Sequence, residues 1–421
     1  MTPLLLITLG YWVGVSLCVG VVGGGVWNHW RGRVQDRRLR KQQAEELARF
    51  RQEIETRRLC VRALDPTQSA WPGTKAFRVA AIMDECRDHR SFYLVPVDQR
   101  PLPAYLPGQY LTLVLSLPGA TKPLVRCYSL SDRPGQEFYR ITVKRVRAEK
   151  PNELPGRGSN YLCEHVAVGS TLAVRAPAGG FFLSPLSRGP VALIASGIGI
   201  TPILAMLNEI VHEQPGRPVV VFLGMKNGES FPFRQHLRQL AAEHRNITLA
   251  VSYSRPAADE ILGRDYDHHG RVNLQRIQQV LGSSDFSFYL CGTGGMMAEL
   301  VPALETWGVA AENLHFEAFG PSTVKRMQPA VETTRVATTA KVTFFRSQRE
   351  VATDGSRSLL ELAEGEKLPV ESGCRAGNCG ECVTKILSGK VRTTKKSGVN
   401  LAADQCLTCI SLPDGDVSVE L

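Results

Sequence analysis

The sequence lacks the cysteine spacing of a secreted protein that is stabilised by disulfides. It has eleven cysteines among its 421 residues, but seven of them follow no regular framework, which favours a reducing compartment without disulfides. These seven are Cys18, Cys60, Cys86, Cys127, Cys163, Cys291 and Cys406. The composition departs little from that of ordinary folded proteins, which argues against a disordered or fibrous chain, and the length suffices for two or three domains.

Charge is missing from Pro3 to Trp27, a length that would span about 30 Å of hydrocarbon as a helix. No Lys or Arg precedes this segment and no small-residue cleavage site follows it, which argues against a secretory signal peptide; a packed core helix is the other alternative. A dense basic stretch, Arg31 to Lys41, comes directly after it. We therefore expect a transmembrane anchor at 1–28, in a single-pass protein of the inner (cytoplasmic) membrane with its remaining domains in the cytoplasm.

A basic juxtamembrane stalk helix is predicted at 29–70. Ten basic and five acidic residues between Arg31 and Cys60 supply half of the chain's net charge of +10. Such a block can indicate nucleic acid, but its position beside the apolar segment favours a membrane surface. We therefore expect the membrane, and no nucleic acid, as a partner of this region.

Short β-rich runs separated by turn residues fill 71–186 and predict a small antiparallel β-barrel. In the run Arg126-Cys127-Tyr128-Ser129, strand alternation places Arg126 and Tyr128 on one side, where the guanidinium suits a phosphate oxygen and the phenol ring suits an isoalloxazine. Ser129 would then offer its hydroxyl to the reactive flavin nitrogen. Gly158-Ser159-Asn160 precedes apolar residues and predicts a helix start whose free N–H groups bind a pyrophosphate.

A parallel α/β domain that binds a dinucleotide is predicted at 187–321. The apolar run Val191–Ala195 resembles a strand buried in a parallel sheet, and it leads into the turn Gly197-Ile198-Gly199-Ile200-Thr201-Pro202 and an apolar helix. Glycines at such a turn let cofactor phosphates approach the backbone and the helix N-terminus. The motif is not G-x-G-x-x-G, because Thr201-Pro202 stands in place of the third glycine.

In this order, the motifs resemble those of the ferredoxin–NADP reductase superfamily and, more closely, the reductase half of flavohaemoglobins. The matching segments are Pro107–Tyr110, Arg126–Leu130, Ile141–Arg145 and Ala176–Phe181. The resemblance implies FAD rather than FMN as the bound flavin. It implies cofactor contacts from Tyr110, Arg126, Cys127, Tyr128, Ser129, Val143, Lys144, Gly158, Ser159 and Asn160. The nicotinamide is NADH or NADPH; one cation, Lys226, and no arginine cluster after the second strand favour NADH.

The same resemblance implies the residues around the nicotinamide ring. Cys291 would lie near the hydride-donating carbon, with Gly292 and Met296 lining the pocket; an inert buried thiol is the alternative. The segment Glu317-Ala318-Phe319-Gly320-Pro321 would fold back onto the flavin, with Phe319 over the ring and Glu317 near its edge. The alternatives are core packing for Phe319 and a surface carboxylate for Glu317. The implied catalytic residues are Ser129, Cys291, Glu317 and Phe319.

A ferredoxin domain with a β-grasp fold is predicted at 341–421, after a linker at 322–340. Cys374, Cys379 and Cys382, with the remote Cys409, have the plant-type spacing for a [2Fe–2S] cluster. Zinc is the competing metal, but zinc sites usually pair two short Cys-x2–4-Cys arms. Cys406 could replace Cys409 in principle. In the resembled family the fourth ligand precedes x3-Pro, which selects Cys409.

The domain order implies an NAD(P)H:acceptor oxidoreductase. Hydride would pass to FAD, single electrons to the cluster, and then to a partner oxygenase, hydroxylase or desaturase, as in the oxygenase reductases that this order also resembles. A reductase of a small acceptor such as a quinone is the alternative, and the expected anchor is its only support. A redox-sensing protein with vestigial motifs is a further alternative.

Overall fold

The fold was obtained as a computed structural model. It describes Glu45, Trp71, and residues 73–148, 155–319, 340–368, 370, 372–373, 375, 377, 380–394 and 401–421. The chain divides into two compact units, 1–62 and 63–421. Only Glu45, which lies in a helix, is described in the first, so the account below concerns the second.

The expectation of a single-pass protein of the cytoplasmic membrane is wrong on this structure. In the part of the chain that the structure describes, no helix has the length and apolar character needed to cross a bilayer. The longest helix with described bounds has 14 residues and would be about 21 Å long, short of the roughly 30 Å of a hydrocarbon core. The segments 1–28 and 29–70, on which the anchor and stalk were predicted, lie outside the described residues apart from Glu45.

The first domain is a six-stranded antiparallel β-barrel, which we call the flavin barrel, in the strand order β4-β3-β6-β1-β2-β5. A bridge between Leu130 and Ile141 links the two ends of this order. Alternating apolar residues such as Leu111, Leu113 and Ile141 are fully buried inside it, as a half-buried sheet requires. Its elements are β1 (Thr74–Cys86), β2 (His89–Pro96), β3 (Tyr110–Leu115), β4 (Leu124–Ser129), β5 (Tyr139–Lys144), α1 (Arg157–His165) and β6 (Thr171–Ala178).

The second domain is a six-stranded parallel sheet in the order β10-β9-β8-β7-β11-β12. Its central strand is continuously apolar because both faces are covered: Leu193 packs with α2 and α3, and Ile194 with α4 and α5. The order reverses beside β7, which is where open α/β sheets bind ligands. The elements are β7 (Val191–Ser196), α2 (Ile200–Glu213), β8 (Val219–Met225), α3 (Arg234–Glu243), β9 (Ile247–Tyr253), β10 (His268–His269), α4 (Leu274–Leu281), β11 (Ser287–Thr293), α5 (Gly294–Thr306) and β12 (Leu314–Phe319).

The third domain, which we call the cluster domain, has a five-stranded mixed sheet in the order β14-β13-β19-β15-β17 and a two-stranded sheet of β16 and β18. Its helix α6 begins with a capping box in which Ser358 and Glu361 satisfy each other's backbone N–H groups. Its elements are β13 (Ala340–Phe344), β14 (Arg349–Thr353), α6 (Leu359–Gly365), β15 (Val383–Ser388), β16 (Val391–Thr393), β17 (Gln405–Leu407), β18 (Ser411–Pro413) and β19 (Val417–Val419).

Candidate functional site

The glycine turn after β7 lies directly against the end of β11. A Cβ added at Gly199 would clash with the carbonyl of Cys291 and lie 2.7 Å from the Cα of Gly292, and one added at Gly292 would clash with Ser196 Oγ. Gly197 has a φ of +52°, a left-handed conformation that favours glycine. Thr293 N donates to Ser196 Oγ at 3.3 Å. The turn predicted to bind a dinucleotide is therefore a cradle of bare backbone at the switch point of the sheet.

Three residues singled out from the sequence meet at neighbouring strand ends. Cys291 on β11 is the register partner of Glu317 on β12, and Thr293 is the partner of Phe319. Cys291 is fully buried, and burial, followed by the charge of Glu317, raises the pKa of its thiol far above the ordinary value. The thiol therefore stays neutral. Ala318 pairs with Gly292 in the same register, whereas Gly320 and Pro321 lie outside the described residues.

Met296 and the first turn of α5 close this end of the sheet. Thr293 caps the helix by accepting a hydrogen bond from Met296 N, as N-cap residues do. The terminal methyl group of Met296 packs against Gly292, where an added Cβ would lie 3.0 Å from it. Behind the cradle, Ile200 is fully buried and Thr201 donates its hydroxyl to Ile198 O at 3.0 Å. The residues of the turn thus act through backbone and packing more than through free polar side chains.

In the flavin barrel, Arg126 and Tyr128 lie against the first turn of α1. A Cβ at Gly158 would be 3.0 Å from Arg126 Cγ and 3.2 Å from Tyr128 Oη, so the missing side chain lets the helix start approach both. Burial lowers the pKa of the Arg126 guanidinium from its ordinary value, and burial raises that of the Tyr128 phenol. Arginine remains charged at neutral pH even so. A cation, a phenol and a helix N-terminus suit a phosphate-bearing flavin.

Other residues that were predicted to contact the flavin have side chains that bond within the protein, lie in the core or are exposed. Ser159 Oγ accepts from Val146 N at 3.2 Å, and Asn160 Nδ2 donates to Val146 O at 2.7 Å, so both side chains tie α1 to the barrel. Val143 is buried in the core, while Lys144 is exposed at the end of β5. The side chains of Ser159 and Asn160 therefore hold the helix start in place, and Asn160 N also donates to Gly156 O at 2.9 Å.

Tyr110 and Ser129 are register partners at the ends of β3 and β4. Both are buried. The ring of Tyr110 packs against Gly179, where an added Cβ would lie 3.0 Å from Tyr110 Cε1. Cys127, which shares a face of β4 with Ser129, lies 3.3 Å from Thr112 Oγ1 through its Sγ. The structure thus brings Tyr110, Tyr128 and Ser129 to one end of the barrel, with Tyr128 on the face of β4 opposite to that of Cys127 and Ser129.

Two of the four predicted cluster ligands are described, and they share one small apolar group. Cys382 is buried at the start of β15 with Leu407 and Ile410, and Cys409 packs against the same residues. Thr408 N donates to Cys382 O at 3.0 Å, which ties the two cysteine segments together. Cys374 and Cys379 lie outside the described residues.

Cys406 lies elsewhere, in the main core of the cluster domain with Val342 and Phe344. Burial there raises the pKa of its thiol to about 11, and Cys406 does not belong to the small apolar group that Cys382 and Cys409 share. This placement supports Cys409 as the fourth ligand. Gly377, with a φ of +78°, approaches Ile410 so closely that a Cβ would lie 2.7 Å from its Cδ1, so the cysteine loop also depends on a missing side chain.

No sequence pattern predicted one further group, a polar network between the flavin barrel and the nucleotide domain. Arg140 pairs with Asp132 at 3.2 Å, and Asp132 accepts from Asn208 of α2 at 3.0 Å. The Arg140 guanidinium also lies 5.0 Å from the ring of Phe233, at the start of α3. Single polar residues between apolar ones have no characteristic spacing, so only tertiary contacts reveal this network.

Comparison with known proteins assigns three family domains in the same order. Residues 76–183 match an oxidoreductase FAD-binding domain. Residues 193–301 match an oxidoreductase NAD-binding domain, and residues 342–414 match a 2Fe-2S iron-sulfur cluster binding domain.

A flavohemoprotein of Bacillus cereus is 35% identical over 256 residues, which are 61% of this chain and 63% of that protein. The match thus spans about three fifths of the curated relative. The flavohem-like FAD/NAD-binding domain of nitric oxide dioxygenase from Vibrio cholerae is 33% identical with a TM-score of 0.53, and the match covers 59% of this chain and all of that domain.

Phthalate dioxygenase reductase, described as a modular structure for electron transfer from pyridine nucleotides to [2Fe–2S], has a TM-score of 0.52 and 24% identity. The match covers 85% of this chain and all of that one. At this identity the similarity concerns the fold, and it extends through all three domains.

Proposed function

We propose that this chain, which belongs to the family of flavohaemoglobin-type FAD- and NAD-binding reductases and adds a 2Fe-2S domain to it, delivers single electrons from a nicotinamide to a protein acceptor. It is an NAD(P)H-dependent flavin iron–sulfur oxidoreductase. When bound, FAD accepts hydride and the cluster carries one electron at a time. The protein's part is to bind, orient and shield these groups.

The observation that carries the proposal is the backbone cradle formed by Gly199, Cys291 and Gly292. A side chain at either glycine would collide with Cys291 or Ser196, so the missing side chains let the turn that would bind the phosphates lie directly against the end of β11, where Cys291 and Gly292 would face the nicotinamide. The turn residues Gly197 to Pro202 present the N-terminus of α2 to the nucleotide phosphates. A glycine turn at a helix N-terminus beside the switch point of the sheet suits a phosphate-bearing dinucleotide such as NADH or NADPH.

Cys291, Glu317 and Phe319 would act around that ring. The raised thiol pKa keeps Cys291 neutral, so we assign it a packing role beneath the reacting carbon, without nucleophilic chemistry. Glu317, its strand partner, would hold or move a proton at the flavin edge. Phe319 is half-buried at the end of β12 and would cover the ring face until the nicotinamide displaces it.

On the flavin side, Arg126 and the first turn of α1 would hold the phosphates, while Tyr128 and Ser129 would contact the ring. Tyr110 would support the ring from the barrel end. In the cluster domain, Cys382 and Cys409 would supply two thiolate ligands, and we assign the other two positions to Cys374 and Cys379 on their spacing.

We infer that the acceptor is a protein of an oxygenase system, such as an oxygenase, hydroxylase or desaturase. The support is the three-domain fold shared with phthalate dioxygenase reductase, whose description gives the same order of carriers. The predicted anchor was the only support for a quinone as the acceptor. In the described ranges, no helix is long and apolar enough to form such an anchor.

The test is anaerobic addition of NADH to the purified holoprotein. We expect the flavin absorbance to bleach first and a reduced [2Fe–2S] signal to follow by electron paramagnetic resonance. Persistent oxidised iron beside a fully reduced flavin would contradict the proposal.

A further inference from the structure

The cluster domain touches the flavin barrel through polar contacts on two faces of one sheet. Arg175 on β6 pairs with Glu381 through Nη2 and Oε1 at 2.9 Å, and both side chains are about one third exposed or less. Arg126 on β4 donates through Nη1 to Ser372 O at 3.4 Å. Arg126 shares a face with its partner Leu113, whereas Arg175 shares the opposite face with Thr112. The cluster domain therefore contacts the barrel on both sides of the β3–β4 edge.

A cavity of about 440 Å³ lies beside these contacts. The β3–β4 turn and the start of α1 form one wall and contribute Lys122, Arg126 and Arg157; the cluster domain forms the other and contributes Val370, Ser372 and Glu381. Ligand cavities of roughly 300–1,000 Å³ hold small organic molecules. This one is large enough for part of a nucleotide but too small for a whole dinucleotide.

The charges of the cavity suit an anion. Among the described residues that line it, Lys122, Arg126 and Arg157 are cationic, and the one carboxylate, Glu381, is paired with Arg175. Arg126 connects the cavity to the flavin site, because it also packs with Tyr128 against Gly158. A ligand whose ring lies at Tyr128 and whose phosphates lie at Arg126 would extend into this space.

We propose that the cluster domain forms the second wall of the site for the adenosine half of FAD, and that the Arg175–Glu381 ion pair holds this wall in place. The inference rests on the proposed function only in taking FAD as the flavin. Binding of the FAD tail and docking of the cluster domain then stabilise each other. Glu381 lies one residue from Cys382, so the same ion pair positions the cluster ligands against the barrel.

Charge exchange across the ion pair tests the proposal in the full-length protein. Arg175→Glu places two carboxylates opposite each other, Glu381→Arg places two guanidinium groups there, and the double variant restores a pair with reversed polarity. Flavin is removed from each with the cluster retained, and the dissociation constants of FAD and FMN are measured from the quenching of flavin fluorescence. We expect both single variants to weaken FAD binding by up to about fivefold, the size expected for loss of a partly exposed ion pair, and the double variant to recover most of it.

FMN separates docking from general damage because it lacks the adenosine half. We expect its dissociation constant to change less than twofold in all three variants. A simple charge effect on an anion would instead make Arg175→Glu weaker and Glu381→Arg tighter for both flavins. Opposite shifts, or equal weakening of FAD and FMN, would overturn the proposal.

Two further variants examine the other wall. Arg157→Ala and Lys122→Ala each remove a cation from the cavity, so we expect FAD to bind several-fold more weakly and FMN nearly as before. The matched control is Glu350→Lys, which breaks the exposed Lys341–Glu350 pair of the same domain and is expected to change neither constant. Unchanged FAD affinity in both alanine variants would place the adenosine elsewhere and overturn the proposal.

These titrations contain no nicotinamide. If NADH failed to reduce the flavin of the wild-type protein, the proposed function would be contradicted while the FAD and FMN constants still decided the present proposal.

Discussion

In the nucleotide domain, the candidate nicotinamide site lies at the ends of two strands whose central residues are fully buried, and bare backbone shapes it. The cluster domain meets the flavin barrel through side chains that are partly exposed and charged. Packed interiors transmit the effect of a single added methyl group, whereas ion pairs at a partly wet contact contribute little each and respond to salt. Close packing therefore determines the geometry of the candidate nicotinamide site, whereas charge determines the contact between the cluster domain and the flavin barrel. Substitutions in the two regions should have different effects.

The largest expected effect is loss of the cluster itself. Cys382→Ser removes a buried thiol that shares an apolar group with Cys409, and a hydroxyl cannot replace a soft thiolate ligand for iron. Reduction of a one-electron protein acceptor should be abolished, while ferricyanide reduction by the flavin persists. Both rates are measured with NADH. Cys406→Ser serves as the control and should retain the cluster, and equal loss of both activities with flavin retained would contradict the order of carriers.

The next effect tests the site that is set by shape. Gly199→Ala would force a methyl group against the carbonyl of Cys291, so we expect the free energy of unfolding to fall by about 1–3 kcal/mol. The KM for NADH should rise at the same time. Gly295→Ala is the matched control, because nothing lies within 4 Å of its Cβ position in α5; alanine should stabilise that helix by about 0.5–1 kcal/mol. Equal effects at both positions would contradict the cradle.

A smaller effect is expected for a charge that supports the cysteine loop. Arg375 lies between Cys374 and Cys379 and donates through Nη1 to Glu364 Oε2 at 3.0 Å. Glu364→Ala should speed loss of the cluster on heating by about two- to fivefold, as expected for a half-buried pair worth up to about 1 kcal/mol. The visible absorbance of the cluster gives the rate. Glu366→Ala, which breaks the more exposed contact to Arg349, should leave the rate unchanged.

The smallest expected effect is a pH dependence of stability in the flavin barrel. His89 is 2% exposed and burial lowers the pKa of its imidazole below the ordinary 6.5. The unfolded chain then takes up more protons below that value, so stability is present above pH 6.5 and is lost as the pH falls towards the folded pKa. Thermal unfolding at pH 7.5 and 5.5 should show a loss of up to about 1 kcal/mol attributable to this group. His89→Gln should reduce the loss, and His269→Gln, at an exposed position, should not.

Short-range sequence patterns predicted the parts of the fold that local spacing encodes. The glycine turn, the apolar strand before it and the antiparallel runs of the barrel all appear in the structure, because backbone conformation and burial depend on neighbouring residues. The anchor prediction used an equally local pattern, and the described residues contain no helix that could span a bilayer. Ser159 and Asn160 show another limit, because the motif singled out both residues but did not reveal that their side chains tie α1 to the barrel.

By itself, the sequence determined the three kinds of domain and their order, which the family matches confirm, and it predicted a ligand-binding motif in each, since four cysteines at a given spacing or two glycines at a strand end are local constraints. Only the tertiary structure decided which distant residues meet. It pairs Cys291 with Glu317 across two strands, places Cys406 in the core and Cys409 beside Cys382, and brings Arg175 to Glu381 across 206 positions. These contacts arise from strand register and domain docking, which depend on the whole chain and leave no spacing in the sequence.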